Sequence, residues 1–591
     1  MNNYNNVIID RLPRHLRQYI VPQHYHHYTP IDHAVWRYVM RQNYNYLKDV
    51  AYYPYIPGLK KAGLTIEHIP DLQTMNDHLK QIGWGAVTVN GFIPSQAFME
   101  FQAYQVLIIA ADIRQIEHIE YTPAPDIIHE SAGHAPIIGE PEYARYLQFT
   151  GEVGTKAMSS KKDHELFEAI RKLAVLKELA GTGDNLIKQA EDELMHIQAN
   201  MGQPSEMALL ARLHWWTVEY GLIGDLDHYK IYGAGLLSSI GESVSCMKPD
   251  VKKIMYTLDA VNYAYDITQP QPQLFVTPDF ENLVNVLDEF ADSLSYRRGG
   301  AFGLRKAIEC SMPCTAVYSS GLQVSGVFAG NRKEEHLSYI QTKGATALAV
   351  DNKELAGHGK AYHKAGFGSP VGKLINTDKT IEACTIGDLK SLGVEEGQPA
   401  LLHFTSGLDV RGVVGDIVLS GDKIVLIRFT ECEVKDTITG QVLFEPTWGR
   451  YDMAVGEKIV SVFAGAADKD AFEQVTLLPK EMPVSSYSDE QLALHQLYRQ
   501  VRNVREGNAM KSELVNVWTK IKANHPHDWL CAIEILELVK DQPLLDDLRF
   551  EVEDYLQQLK TIKPELAKLI NDGLNTMSQI PILPGVHTDQ W

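Results

Sequence analysis

Two imidazoles stand five residues apart in the segment Tyr121-Thr-Pro-Ala-Pro-Asp-Ile-Ile-His-Glu-Ser-Ala-Gly-His-Ala-Pro, with Glu130 directly after the first. In the zinc-peptidase string His-Glu-x-x-His the histidines are four apart and share one helix face. At five, His129 and His134 diverge by roughly 140° on a regular helix of about 100° per residue. They reach one ion only where the helix ends or distorts, and Gly133 and Pro136 are residues suited to cause that. The spacing argues against a peptidase. Alone, such a string is more often a coincidence on a helix surface than a ligand set.

A third group changes the reading. Glu219 lies in His214-Trp-Trp-Thr-Val-Glu-Tyr-Gly-Leu, an otherwise apolar and aromatic stretch. A carboxylate there must be paired, hydrogen-bonded or metal-bound, because burying it bare is costly. Two histidines and one carboxylate form the facial triad of non-haem Fe(II) oxygenases, which leaves open positions for water, O2 or substrate. A buried ion-pair partner is the plainer role for Glu219, and a zinc hydrolase with Glu130 as base is the rival chemistry.

The elements that must position these groups follow from periodicity. Residues 1 to 300 read as mainly helical. Leu166, Ile170, Leu173 and Leu176 recur at helical spacing, and Gly181 stands where a C-cap glycine belongs. Amphipathic stretches recur near 205–222 and 277–297, and the pattern ends near Arg298-Gly-Gly-Ala-Phe-Gly. From 312 to 480 β-branched runs dominate. Val410–Leu419 and Lys423–Phe429, joined by Ser420-Gly-Asp, predict a hairpin. Residues 485–580 return to helix, opened by a capping box of Ser488 and Gln491 ahead of Leu492, Leu494, Leu497 and Val501. The expected plan is multidomain: a mainly α catalytic domain (1–300), a β-rich domain of unassigned role (312–480) and a small α-helical C-terminal region (485–580).

The 591 residues carry 55 Lys and Arg against 75 Asp and Glu, a formal charge of −20, with 45% apolar residues. That excess of acid repels nucleic acid and anionic membranes. No apolar run spans a bilayer and no apolar signal region opens the chain, which predicts a cytoplasmic protein. The six cysteines read as reduced structural thiols, since Cys310 and Cys314 have no second pair to complete a zinc knuckle. The expected partner is a small molecule; a homo-oligomer is compatible with the sequence.

The segments Tyr121-Thr-Pro-x-Pro-Asp-Ile-x-His-Glu-x-x-Gly-His-x-Pro, Phe149-Thr-Gly-Glu-Val-Gly, Trp215-Trp-Thr-Val-Glu-Tyr-Gly-Leu and Tyr232-Gly-Ala-Gly-Leu-Leu-Ser-Ser-Ile-Gly-Glu, in that order, resemble the tetrahydropterin-dependent aromatic amino acid hydroxylases. The resemblance covers about residues 20–300. It implies the fold of that family's catalytic domain and His129, His134 and Glu219 as iron ligands. It further implies that Arg114 grips the substrate carboxylate with Asp126 holding it in place, that Thr122 and Ser238 contact the amino acid backbone groups, and that Pro125 and Trp215 wall the ring pocket. Gly91, Ile93 and Phe98 would receive the pterin, Phe98 by stacking, with Glu130 on the pterin side of the iron. The implied cofactors are Fe(II) and tetrahydrobiopterin or a related tetrahydropterin, with O2 as co-substrate, one oxygen atom going to the pterin and one to the ring.

Phenylalanine is the favoured substrate, with tyrosine and tryptophan as alternatives. Trp215 stands where tryptophan hydroxylases carry phenylalanine, and Gly300 falls near a position that is acidic in tyrosine hydroxylases. Two departures stand out: His214 replaces a usual tyrosine, and Ser131-Ala replaces two leucines. The resemblance also implies that no regulatory domain precedes the catalytic part, and the tetramerisation tail of animal relatives has no visible counterpart. Three weaker signals carry no function. Gly366-Phe-Gly-Ser-Pro-Val-Gly-Lys fails phosphate-loop spacing, His24, His26 and His27 read as surface or packing residues, and Glu354 with His358 lies in a glycine-rich stretch.

Overall fold

The computed structural model describes residues 4–90, 93–120, 125–178, 184–266, 270–330, 337–375, 377–473 and 487–579. The predicted C-cap at Gly181 lies outside them. The first half is built on helix α1 (Pro30–Val50), opened by a capping box in which Thr29 and Asp32 bond reciprocally. Its apolar face buries Val35, Trp36, Val39, Met40 and Leu47. Helix α2 (Ser95–Ala103) crosses between two parallel strands, Gly85–Val89 and Val106–Ala110, buried at every position as a covered parallel pair must be. Helix α3 (Pro141–Gly154) lies on α2 so closely that a Cβ at Gly151 would stand 2.3 Å from the Ala103 nitrogen. A four-stranded sheet runs Tyr229–Ile231, Leu222–Gly224, Gln273–Thr277, Lys252–Met255 in spatial order. Just after its edge strand comes the short helix α4 (Ala234–Ser238). Helices therefore share the first 300 residues with two small sheets that the helical reading did not include.

The helical pattern also runs past the expected stop. Gly299 and Gly300, both at φ 56°, turn the chain, and the helix Gly300–Cys310 follows. It buries Leu304 and Ala307 in a second core with strand residues Ala316, Val324 and Val462. Gly300 thus opens a helix of the second core, where a Cβ would meet nothing within 4 Å.

Beyond it a six-stranded sheet and a five-stranded sheet follow. The predicted hairpin is there, Leu408–Ser420 against Lys423–Asp436. Ser420 pairs with Lys423, and Gly421 takes the positive φ (57°) of the two-residue turn. Gly368–Pro370, from the stretch that fails as a phosphate loop, is a strand on Tyr339–Gln341. Helix α5 (Lys469–Glu473) closes this region.

The last hundred residues carry α6 (Asp489–Arg505), with the Ser488–Gln491 capping box, α7 (Trp529–Val539) and α8 (Ala567–Gln579). They do not stand apart, because their apolar faces join the core of the first half. The Tyr38 ring meets Trp529 edge-on at 5.0 Å, and its hydroxyl donates to the Leu569 carbonyl at 2.7 Å. A buried charge cluster lies in the same seam. Arg37 pairs with Glu67 (2.7 Å), Glu534 (2.9 Å) and Glu537, which Arg505 also reaches (3.1 Å). All six cysteines are buried and free of disulfides, and no helix among the described residues is long and apolar enough to cross a membrane.

Arg37 is 3% exposed and Glu537 likewise 3%, so removing the guanidinium takes one cation from a buried cluster and leaves Glu534 and Glu537 to share Arg505, with Arg41 beside Glu537. Arg37→Ala should lower stability by about 3 kcal/mol, read as a shift of the urea unfolding midpoint. An unshifted midpoint would show that the seam contributes nothing.

Candidate metal centre

The five-residue spacing has a simple structural origin. Ile128–His134 is a π-helical turn, and Trp215–Glu219 is another. A π-helix bonds i to i+5, so residues five apart come to one face where a regular helix would splay them. The distortion foreseen between the histidines is therefore a widening of the helix and not its end. Gly133 serves close packing instead. A Cβ there would lie 2.7 Å from the Ala234 carbonyl, so its absence lets α4 press on the turn.

This brings three donors together. His129 Nε2 lies 3.4 Å from Glu219 Oε2, His134 Nε2 lies 3.3 Å from Glu219 Oε1, and the two imidazole nitrogens are 3.3 Å apart. Metal–nitrogen and metal–oxygen bonds of about 2.1 Å, at angles of about 90–109°, subtend chords of roughly 3.0–3.4 Å. The triangle fits one ion on all three sides. Glu130 is the other nearby carboxylate, 3.8 Å from His134 Nε2. Its ligand atom stands within 4.8 Å of those of His129 and His134, but Glu219 approaches both imidazoles more closely, and burial pushes the Glu130 carboxyl up to about 8. Burial would raise Glu219 too, but His134 and His129 hold it well below the usual carboxylate range. Burial pushes His129 down to about 4, leaving it neutral, whereas Glu219 outweighs the burial of His134 and raises it.

The surrounding groups orient the donors. His129 Nδ1 faces Ser238 Oγ at 2.9 Å, and that hydroxyl donates to the Ala234 carbonyl at 2.8 Å. The hydroxyl proton is thus spent on the carbonyl, Nδ1–H donates to Oγ, and the Nε2 lone pair is left for an ion. Ser238, expected on the substrate backbone, holds a histidine from α4 in this structure. Asp126 accepts from Arg114 Nε (2.8 Å) and Nη2 (2.9 Å), and from the His129 backbone N–H (3.0 Å). Burial opposes charge on Asp126, and Arg114 holds it low. One edge of the Arg114 fork is used; Nη1, only 3.4 Å from the Ile119 carbonyl, is the freer arm.

Trp215 stacks on both Tyr220 (4.7 Å) and Tyr265 (4.4 Å), so its faces are engaged and its edge remains to border a pocket. Phe98 is half-buried on α2 with its ring 5.8 Å from His214, edge to face. Ile93 is half-buried and Pro125 exposed, while Thr122 and Gly91 lie outside the described residues. Sequence reasoning missed the contact of His214 Nε2 with Gln102 Nε2 at 3.4 Å. The four-residue step from Phe98 to Gln102 was its only signal.

Two further histidine groups differ from this triangle. His358, His363 and Asp452 are buried with donor atoms within 4.8 Å of one another. However, Arg428 Nη2 lies 2.6 Å from His358 Nε2 and its Nε 3.2 Å from Asp452, so the cluster already holds a cation of its own. His24, His26 and His27 sit on a partly exposed turn, the first and last rings stacked at 5.0 Å, with no carboxylate in the group.

The sequence model of biopterin-dependent aromatic amino acid hydroxylases matches residues 18–177 and 193–301. Over those residues the chain is similar to that family. A phenylalanine-4-hydroxylase of Pseudomonas aeruginosa is 29% identical over 265 residues, 44% of this chain and 84% of its own length. One from Chromobacterium violaceum is 28% identical over 279 residues, 45% of this chain and 79% of its own. The crystal structure of the Chromobacterium violaceum enzyme with iron(III) and 7,8-dihydrobiopterin is 25% identical, covering 50% of this chain and 95% of that one, with a TM-score of 0.36. The hydroxylase span contains the three donors, Arg114 and Phe98, and it ends at residue 301, where the second core begins.

Two outcomes test the geometry. With His129 neutral, Glu219 ionised and His134 raised above an ordinary imidazole, one bound proton, that of His134, must leave when an ion enters. Affinity is full above the His134 pKa and falls as pH drops through it. An anaerobic Fe(II) titration should show Kd rising about tenfold per pH unit below that point, and a flat profile would count against the triangle. Gly133→Ala should drive α4 off the turn, costing about 1–3 kcal/mol, and lower the iron retained after dialysis.

Proposed function

We propose that the chain is an iron- and tetrahydropterin-dependent monooxygenase that hydroxylates the ring of free phenylalanine to give tyrosine. The observation that carries this reading is the donor triangle of His129, His134 and Glu219, with its 3.3–3.4 Å sides. Two neutral or neutralisable imidazoles and a carboxylate, without thiolate, suit Fe(II) and leave a face open. The family match supports a biopterin, and the relatives named for phenylalanine support the substrate. Six buried, unbridged thiols support a reducing, cytoplasmic setting. In this reading residues 1–300 are the catalytic domain, followed by a β-rich domain at 312–480 and a helical region at 485–580.

When bound, Fe(II) and the reduced pterin supply the electrons that split O2, one atom going to the ring and the other to the pterin. The chain's own residues bind and orient. Arg114, braced by Asp126, would turn its more weakly held Nη1 arm, 3.4 Å from the Ile119 carbonyl, to the amino acid carboxylate. Because Asp126 also accepts from the His129 backbone, substrate grip and iron site are built on one carboxylate. Ser238 fixes the tautomer of His129. Glu130, buried 3.8 Å from His134 Nε2, would stand on the pterin side of the site. The Trp215 edge and Pro125 border the ring pocket, with Thr122 on the amino acid backbone. Gly91, Ile93 and Phe98 line the pterin side, where His214 meets the Phe98 ring.

Aerobic incubation with Fe(II), a tetrahydropterin and equal amounts of phenylalanine, tyrosine and tryptophan should yield new tyrosine by mass, and none with His134→Ala. A catechol or a hydroxytryptophan would retain the chemistry and overturn the substrate. No product from iron-loaded protein, with the pterin unconsumed, would overturn the function.

A further inference from the structure

Helix α2 has two working faces. Phe98 and Gln102 are four residues apart and share the face toward the metal centre, where both meet His214. Glu100 lies midway between them, roughly 200° around the helix from Phe98, on the side toward the second half of the chain. There Lys469 of α5 donates to Glu100 Oε2 at 2.6 Å, and His15 Nε2 meets Glu100 Oε1 at 3.0 Å. Asp470, the next residue of α5, takes the other side of His15: its Oδ1 lies 2.7 Å from Nδ1 and accepts the His15 backbone N–H at 2.9 Å, while its Oδ2 accepts that of Arg14 at 3.2 Å.

The cluster is largely dry. Side-chain exposure is 9% for His15, 11% for Glu100 and 15% for Lys469. Burial opposes charge on Glu100, yet His15 and Lys469 keep its carboxyl below the usual range. The neighbouring helix is tied to the same body. The Ala464 N–H donates to the Lys156 carbonyl at 3.1 Å, and Lys156 Nζ sits 3.8 Å over the Phe463 ring, just beyond the end of α3. Since α3 touches α2 through Gly151 and Gly154, the two helices shift together or not at all.

We propose that Lys469 is a positioning residue for the pterin site, acting through Glu100 to hold α2, and with it Phe98 and Gln102, at the metal centre. The inference rests on the reading that Phe98 faces the pterin. It gives the β-rich half a part in the reaction, which is to set the cofactor side of a pocket whose substrate side, at Arg114 and Asp126, is held within the first half. Without the ammonium, Glu100 is left in a dry site with His15 alone, and α2 relaxes.

The test uses full-length, iron-free protein and calorimetric titration with a tetrahydropterin under nitrogen, and separately with phenylalanine. Lys469→Met should weaken pterin binding about fivefold while phenylalanine Kd stays within about twofold and the thermal midpoint falls little. Lys469→Arg, which keeps the charge, should bind pterin within about twofold of wild type. Should Lys469→Met not fold, Asp470→Asn, which loosens His15 and so Glu100, is expected to shift pterin Kd in the same direction. Unchanged pterin binding in a folded variant, or equal losses for pterin and phenylalanine, would overturn the inference. Wild-type protein that binds no pterin would instead overturn the function proposed above.

Discussion

Three charged or polarisable donors held 3.3–3.4 Å apart in a dry pocket are the constraint on which the rest of the first half depends. Left alone they would repel, lose hydration or scatter, and a buried carboxylate without partners is among the costliest groups a protein can carry. The chain meets the constraint with backbone as well as side chains. Two π-helical turns, each a departure from the more stable α-helical ladder, rotate His129, His134 and Glu219 onto one point. Tight packing keeps those turns from relaxing: Gly133 admits α4, and a Cβ at Gly233 would stand 2.5 Å from the Glu219 carbonyl.

The same constraint explains why so few residues do so many things. Asp126 neutralises Arg114 and anchors the His129 backbone. Ser238 selects the tautomer of His129 and caps the Ala234 carbonyl. Such sharing makes the site stiff, since no one group can move without breaking a second contact. It also divides the pocket. On the substrate side Arg114 and His129 are both tied to Asp126, whereas the opposite wall, helix α2, leans on residues 464–470 from the far part of the chain.

Much of this was legible in the sequence, for definite reasons. The histidine spacing and the isolated Glu219 are chemical facts that need no fold, and they gave the donor set. The hairpin at Gly421 and the capping box at Ser488 are local, so residue type alone located them. The π-turns were not legible, because no local propensity favours them; they exist because tertiary packing requires them. The contact of Ser238 with His129 could not be read either, since the two are 109 residues apart. The helical tail was visible as helix, but its seat on α1 was not: Tyr38 and Leu569 meet across 531 residues. Gly300 was read only through register counted from Gln271, and that register could not show that the residue opens a helix of a new core.

That contact between Tyr38 and Leu569 bears on how the chain is made. The core around α1 draws apolar side chains from the first 300 residues and from α6 to α8. During synthesis the ribosome must add about 190 residues of strand-rich chain between those two contributions, roughly 10–40 s at about 5–20 residues per second. For that interval the nascent protein displays the α1 surface with nothing to cover it. That core is therefore closed only when α6 to α8 arrive, and a chain stalled before them, although it already contains His129, His134 and Glu219, would present the cell with a sticky, half-closed body and a target for chaperones.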